Sequence, residues 1–284
     1  MATTIFLINP QTFPSSTSYL LDTYSAAAAY SLRQLKTGVT NVVRVRRSGD
    51  NAESDFTADE ITDGTLLSWV TASGTQGFVT TWYDQSGNGN DATQVTAGSQ
   101  PKIVNASAVL TNGGIPTVVF DGTDDGLSAG SIGVSGSSLR SVFSVTNTYA
   151  LAAAGGGYLG VGGTPSTGTI YDLCPESGQF ALRVSGNSIY NYSFSALTQY
   201  LISVLQTTTT TAGMNLYIDG SSVSQTSTTT TTLNTTDDWY IGEQPNNTDK
   251  FFDGGIQEII IMASDESANR TDIESDINTY YSIY

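Results

Sequence analysis

Residues Phe78–Gln94 read FVTTWYDQSGNGNDATQ. Phe78, Thr80 and Trp82 alternate with Val79, Thr81 and Tyr83, a β-branched and aromatic run that predicts a strand partly covered on both faces. It meets Asp84-Gln85-Ser86-Gly87-Asn88-Gly89-Asn90-Asp91, where Gly and Asn accept positive φ and so predict a tight, specifically shaped connection. Ala92-Thr93-Gln94 then resumes an extended pattern. An aromatic strand feeding a polar, glycine-hinged tip is how a β scaffold presents a rigid loop.

Downstream of this stretch the β signature continues. Lys102–Val104, Thr117–Phe120, Leu139–Thr146, Tyr158–Val161, Phe180–Val184, Tyr200–Gln206, Met214–Ile218, Trp239–Ile241 and Ile256–Met262 are predicted strands, separated by Gly, Asn, Asp and Ser. Many strands at short spacing, without alternating helices, predict an all-β fold: a two-sheet antiparallel sandwich. The threonine runs Thr207–Thr211 and Thr228–Thr232 read as hairpin edges. Upstream, Asp22-Thr23 offers a cap for a helix over 22–37, with Tyr24, Ala27, Ala28, Leu32 and Leu35 on one face and Gly38 as its stop. Residues 59–72 read as a second short helix, and Ile273, Ile277 and Tyr280 as one face of a C-terminal helix. The expected organisation is an N-terminal arm over 1–19 and a single sandwich domain over 20–284.

Composition excludes several chemistries. Ten Lys and Arg against 26 Asp and Glu leave a net charge of −16, which disfavours nucleic acid and anionic bilayers, since both are held by basic side chains. The chain has no histidine, so Ser-His-Asp and Cys-His catalysis and His-ligated metals are excluded. Its one cysteine, Cys174, cannot form an internal disulfide. The start, MATTIFLINPQTF, lacks the pattern of a signal peptide, and no stretch approaches the roughly 20 apolar residues of a membrane span. Synthesis in a cytosol without export, combined with a Thr/Ser/Gly/Asn surface like that of an extracellular β protein, points to a phage virion protein released by lysis.

Candidate contacts follow from residue type. Trp82, Tyr83, Asp84, Asn88, Asn90 and Asp91 combine ring faces with amides and carboxylates, the mixture that recognises sugars; the same Asn and Asp side chains also bond their own backbone and hold turns. Asp121, Asp124 and Asp125 offer hard oxygens for Ca²⁺, without a full ligand set of their own, and no other cofactor is indicated. Arg33, Lys36, Arg44, Arg46 and Arg47 crowd one region, either as an anion site or as partners for Asp50, Glu53 and Asp55.

Met214–Gly220, Tyr240-Ile241-Gly242 and Phe251–Ile261, closing on a short helix, resemble the last strands of concanavalin A-like, laminin-G-like jelly rolls, and Phe120–Asp125 looks like that family's first core strand and turn. Ala26–Arg33, Val43–Arg47 and Trp82–Asp91 resemble the arabinofuranosidase B catalytic domain and sandwich proteins common among phage virion and tail-fibre genes. The arabinofuranosidase resemblance implies Glu176 as nucleophile and Glu243 as acid/base; a retaining glycosidase needs such carboxyls about 5–5.5 Å apart. Glu243 stands where that family has Asp, and Cys174 stands alone where it has adjacent cysteines. The leading expectation is an oligomeric structural virion protein, a capsid decoration, fibre or tail component at the virion surface. It docks on other virion proteins through its N-terminal arm and engages host glycans. A glycoside hydrolase using Glu176 and Glu243, or a free lectin-like module, is the alternative.

Overall fold

The computed structural model describes residues 18–149, 156–162, 168–176, 178–184, 187–227, 229–236, 238–245 and 250–284. In chain order the first elements are α1 (Leu20–Thr23), β1 (Ala28–Ser31), β2 (Val43–Arg47), β3 (Glu53–Phe56), α2 (Ala58–Thr62), α3 (Thr65–Thr71), β4 (Gly77–Trp82) and β5 (Ala92–Thr93). Then come β6 (Lys102–Asn105), β7 (Ala108–Val109), β8 (Thr111–Asn112), β9 (Ile115–Pro116), β10 (Val118–Asp121), β11 (Leu127–Ser131), β12 (Ser141–Thr148), β13 (Leu159–Gly162) and β14 (Ile170–Glu176). The chain closes with β15 (Gln179–Val184), β16 (Asn187–Ser193), β17 (Gln199–Gln206), β18 (Met214–Ile218), β19 (Ser221–Val223), β20 (Asp238–Ile241), β21 (Asp253–Met262) and α4 (Arg270–Tyr281).

Every strand pairing among the described residues is antiparallel. One layer runs β3–β2–β4–β5–β11–β20–β13–β14–β15–β16. The other is built on β21, with β12, β17, β18 and β19 following on one side. The opposite edge of β21 is shared end to end: β10 pairs with its first half and β1 with its second. β6 bridges from β4 to β10 and joins the layers along one flank.

Register fixes which side chains fill the interior. Leu127, Ile241, Leu159, Leu173 and Leu182 lie opposite one another across five adjacent strands, and all are fully buried. From the second layer Ala28, Ile261, Val142, Val204 and Leu216 form a matching row, buried in the same cluster. The second layer is covered on its other face too. Phe143, Val145, Leu201, Leu205, Ile260 and Met262 pack there against Leu20, Leu21, Leu35, Ile273, Ile277 and Tyr281. The expected jelly-roll sandwich with a C-terminal helix is therefore present, and among the described residues that helix covers the outer face of the second layer and not that of the β3–β16 layer.

The expected helix over 22–37 does not form. Only Leu20–Thr23 is helical, and Ala28–Ser31 is a strand with every residue buried. Alanine favours a helix locally, but its small side chain also lets a strand lie flat along a buried edge. Here β21 supplies the partner and α4 the roof. The segment expected as one helix over 59–72 is two, α2 and α3, divided at Gly64 with φ +95°. A capping box opens α2: Thr57 accepts from the Glu60 N–H and Glu60 returns a bond to the Thr57 N–H. On α4 the buried tyrosine is Tyr281, four residues after Ile277, whereas Tyr280 is 41% exposed. β14 and β16 escaped the strand prediction, since IYDLCPE and NSIYNYS carry polar residues and a proline inside the run. Residues 1–17 of the expected docking arm lie outside the described residues.

Of the basic cluster, Arg44 pairs with Asp55 and Arg47 with Asp50, as internal pairing predicts. Arg33 goes elsewhere. Its guanidinium reaches Glu258, fully buried on β21, at 2.8 Å, and Asp276 on α4 at 2.8 Å. Ser31 and the Tyr281 hydroxyl complete the shell around Glu258. One ion network therefore ties β1, β21 and α4 together. Replacing Arg33 with Met strands a charge under the helix and is expected to cost about 3–5 kcal/mol. The denaturant midpoint in urea should fall accordingly; an unchanged midpoint would show the network to be idle.

Candidate functional site

Beside each inward row stands an outward one. Ser128, Tyr240, Gly160, Asp172 and Arg183 face one another across β11, β20, β13, β14 and β15, and Thr93, Thr81, Arg44 and Asp55 extend the row through β5, β4, β2 and β3. A groove of about 300 Å³ lies along it, lined by Arg44, Thr81, Thr93, Gln94 and Gln100 among others. The other end is fixed by charge: Arg183 grips Asp172 with two bonds, of 3.1 and 2.9 Å, and both side chains are nearly inaccessible. Gln244 donates to the same carboxylate at 2.6 Å. Without a Cβ on Gly160, Pro245 can close over the row at this point.

Glu243 follows the end of β20. Gly242, at φ +84°, turns the chain there, and a Cβ on it would sit about 2.1 Å from the Phe120 ring, so only glycine fits on both counts. The turn sets Glu243 in a bridge with Phe251. Its carboxyl lies against Gly126, where a Cβ would come 3.0 Å from Cδ. Burial pushes its pKa above the ordinary carboxylate value. Tyr240, two residues back, is pushed up as well, by burial and then by Asp238 and Glu243. Glu176 ends β14, with its Cα opposite that of Gln179. Because β13 pairs with both β14 and β20, Glu176 and Glu243 sit at the same end of three adjacent strands. Tyr240, Asp172, Arg183 and Gln244 are the residues sequence reading missed here. The alternation of IYDLCPE held a signal for Asp172, hidden by the neighbouring proline.

The glycine-hinged tip is turned inward. Asp84 accepts from the N–H groups of Ala29, Ser86 and Asn90 and from the Ser86 hydroxyl. Asp91 accepts from the Asp84 N–H, and the Asn88 and Asn90 amides donate to Ala27 O. Gln85, fully buried, satisfies Leu35, Ser31 and Arg33. The tip therefore staples β1 to the strand before it. Trp82, expected to face a glycan, has no exposed surface and packs in the core against Tyr30. Tyr83 is half-buried and donates to Asp55. Asn88 and Asn90 keep an open side, lining a recess of about 570 Å³ with Ser131 and Ser264.

Asp121, Asp124 and Asp125 do converge, with one carboxylate oxygen from each within 4.8 Å of the others. Their bonds hold the turn itself: Asp121 accepts from the Thr123 and Asp124 N–H groups, and Asp125 from the Asp121 N–H. Three carboxylates fall short of the 6–8 oxygens Ca²⁺ takes. Burial, and then the Asp121 charge, push Asp125 up to about 7. The folded chain thus keeps a proton there that the unfolded chain loses near 3.8, and stability attributable to this group declines as pH rises between those values. Asp125→Asn should flatten that decline, and its melting temperature should gain on that of the unsubstituted chain from pH 4 to pH 7. Parallel melting profiles would contradict the assignment.

Comparison with known proteins agrees with this architecture. The family model for the concanavalin A-like lectin/glucanases superfamily, of laminin-G type, matches residues 121–268, just over half of the chain. No curated protein matches in sequence. Among solved structures, an arabinofuranosidase complexed with arabinofuranosyl-α-1,2-xylobiose superposes with a TM-score of 0.69 at 14% identity, over 89% of this chain and 62% of that one. A GH54 α-L-arabinofuranosidase soaked with a cyclic sulfate inhibitor gives 0.67 over the same shares, again at 14% identity. At that identity the likeness is one of fold, and this chain spans 62% of the length of those enzymes.

Proposed function

We propose that this chain, which belongs to the concanavalin A-like lectin/glucanases superfamily, is a carbohydrate-recognition protein whose ligand lies along the outer face of the β3–β16 layer. The observation that supports this reading is the setting of Glu243. A carboxyl partly withdrawn from water stands beside Tyr240, a member of the outward row that carries the groove, and shares one end of the strands with Glu176. Sugar hydroxyls need carboxylate and amide acceptors, and a ring face suits an aromatic side chain. The second layer is roofed on its outer face by α4 and the N-terminal segment, so a glycan would meet the first.

A hydrolytic version of the same site has a specific basis. A carboxyl whose pKa is raised by burial can hold a proton for a departing glycosidic oxygen, the role Glu243 would take, with Glu176 as the nucleophile. The arabinofuranosidases that share the fold make an arabinofuranoside the substrate to try first. The biological setting we propose is the surface of a bacteriophage particle, with the chain as an oligomeric structural component held by its first residues. The absence of histidine, the single buried cysteine and the net charge of −16 suit such a display protein, held by packing and soluble at high local concentration.

Calorimetric titration with arabinofuranosyl-xylobiose and turnover of 4-nitrophenyl arabinofuranoside test the reading together. Binding that weakens by about tenfold or more in Glu243→Gln is expected. If turnover accompanies it, the rate should fall as pH rises through the Glu243 pKa, and that limb should vanish in Glu243→Gln, while Glu176→Gln abolishes the rate. Binding without turnover leaves a lectin. Neither binding nor turnover with these arabinofuranosides, or with a glycan array, would overturn the proposal.

A further inference from the structure

A recess of about 420 Å³ opens where the N-terminal segment, α2 and α4 meet, and shares no lining residue with the groove along the outward row. Tyr19, Arg33, Gln34, Thr40, Asp59 and Tyr280 contribute to its wall, and its volume falls within the usual 300–1,000 Å³ of small-molecule sites. Except for Tyr280, these residues precede the stretch matched by the family model, and Tyr280 follows it.

Tyr280 is held in place from within. The Arg33 guanidinium carbon lies 5.1 Å from its ring centre, and the Tyr281 ring meets it edge-on at 4.8 Å. Arg33 is itself clamped by Glu258 and Asp276. The result is a fixed aromatic side chain, 41% exposed, in a recess that also offers a carboxylate, an amide and threonine hydroxyls. Rigid rings beside planar polar groups recognise pyranose and furanose units, because the ring takes the C–H face and the polar groups take hydroxyls. Charge narrows the class. Glu258 and Asp276 outnumber Arg33, Asp59 adds a further negative charge, and the whole chain carries −16, so an anionic sugar is repelled.

We infer that this recess, with Tyr280 as its platform and Asp59 and Gln34 as its hydrogen-bonding groups, is a binding site for one unit of a neutral saccharide. It does not depend on the carboxylates at the end of β14 and β20, and the test keeps the two apart. Saturation-transfer NMR is run on the full chain with methyl α-L-arabinofuranoside, methyl β-D-galactopyranoside, methyl α-D-glucopyranoside and, as the anionic control, methyl β-D-glucuronide. At least one neutral glycoside should receive saturation, and the glucuronide markedly less. The comparison is made in the Glu243→Gln background, which weakens the outer-face site; the signal that remains there should drop about tenfold when Tyr280→Ala or Asp59→Ala is added. Both recess positions are exposed, and a melting curve for each variant confirms that it is folded. No transfer to any neutral glycoside would overturn the inference. So would a signal that survives both recess variants in folded protein carrying Glu243→Gln, or equal transfer to the glucuronide.

Discussion

The two-residue period of an extended chain governs this molecule once β21 has been gripped on both edges. When Ile261 faces Val142 on one side and Ala28 on the other, Ile260 must face the opposite way, toward α4. A slip of one residue would exchange the two apolar sets and carry Glu258 into the sandwich interior. The same rule operates in the first layer, where burying Leu127, Ile241, Leu159, Leu173 and Leu182 obliges Ser128, Tyr240, Gly160, Asp172 and Arg183 to form the outer row. The candidate site is thus a by-product of core register: its members are aligned because their neighbours are buried.

Charge placement reinforces that geometry rather than opposing it. Few basic residues are available on so acidic a chain, and most of its arginines are paired internally with carboxylates. Arg33 binds Glu258 beneath α4, Arg183 binds Asp172 under Gln244, and Arg44 binds Asp55 at the edge strand. The first two pairs are buried, and such pairs contribute little net stability against an apolar alternative but penalise misregistered pairings, which would leave one ion alone. The remaining carboxylates dominate the outer surface. That field favours neutral ligands over anionic ones.

The glycine-hinged loop shows how a functional-looking pattern can be architectural. Its side-chain acceptors and amides close on β1 and on themselves, and Trp82 at its root is core. A short β1 of small residues needs such a staple, since Ala28 and Ala29 bury little surface of their own. Conversely, Gly242 and Gly126 serve the candidate site through what they lack, a Cβ. They are what lets Glu243 be seated between Phe251 and the β11 approach.

Alternating β-branched and aromatic runs, with Gly and Asn between them, were enough to read an antiparallel sandwich, its C-terminal helix and most strands, because period and turn chemistry are local properties. The pairing of Arg44 and Arg47 with nearby acids was legible for the same reason. Placement was not. Whether Ala26–Ala29 becomes helix or strand depends on an edge of β21 more than two hundred residues away. Whether Trp82 meets solvent or core depends on the opposing layer. That Glu176 and Glu243 share one end of the sheet depends on β13 lying between their strands. Those outcomes belong to tertiary structure alone, since long-range pairing and burial decide them and no window of sequence contains either.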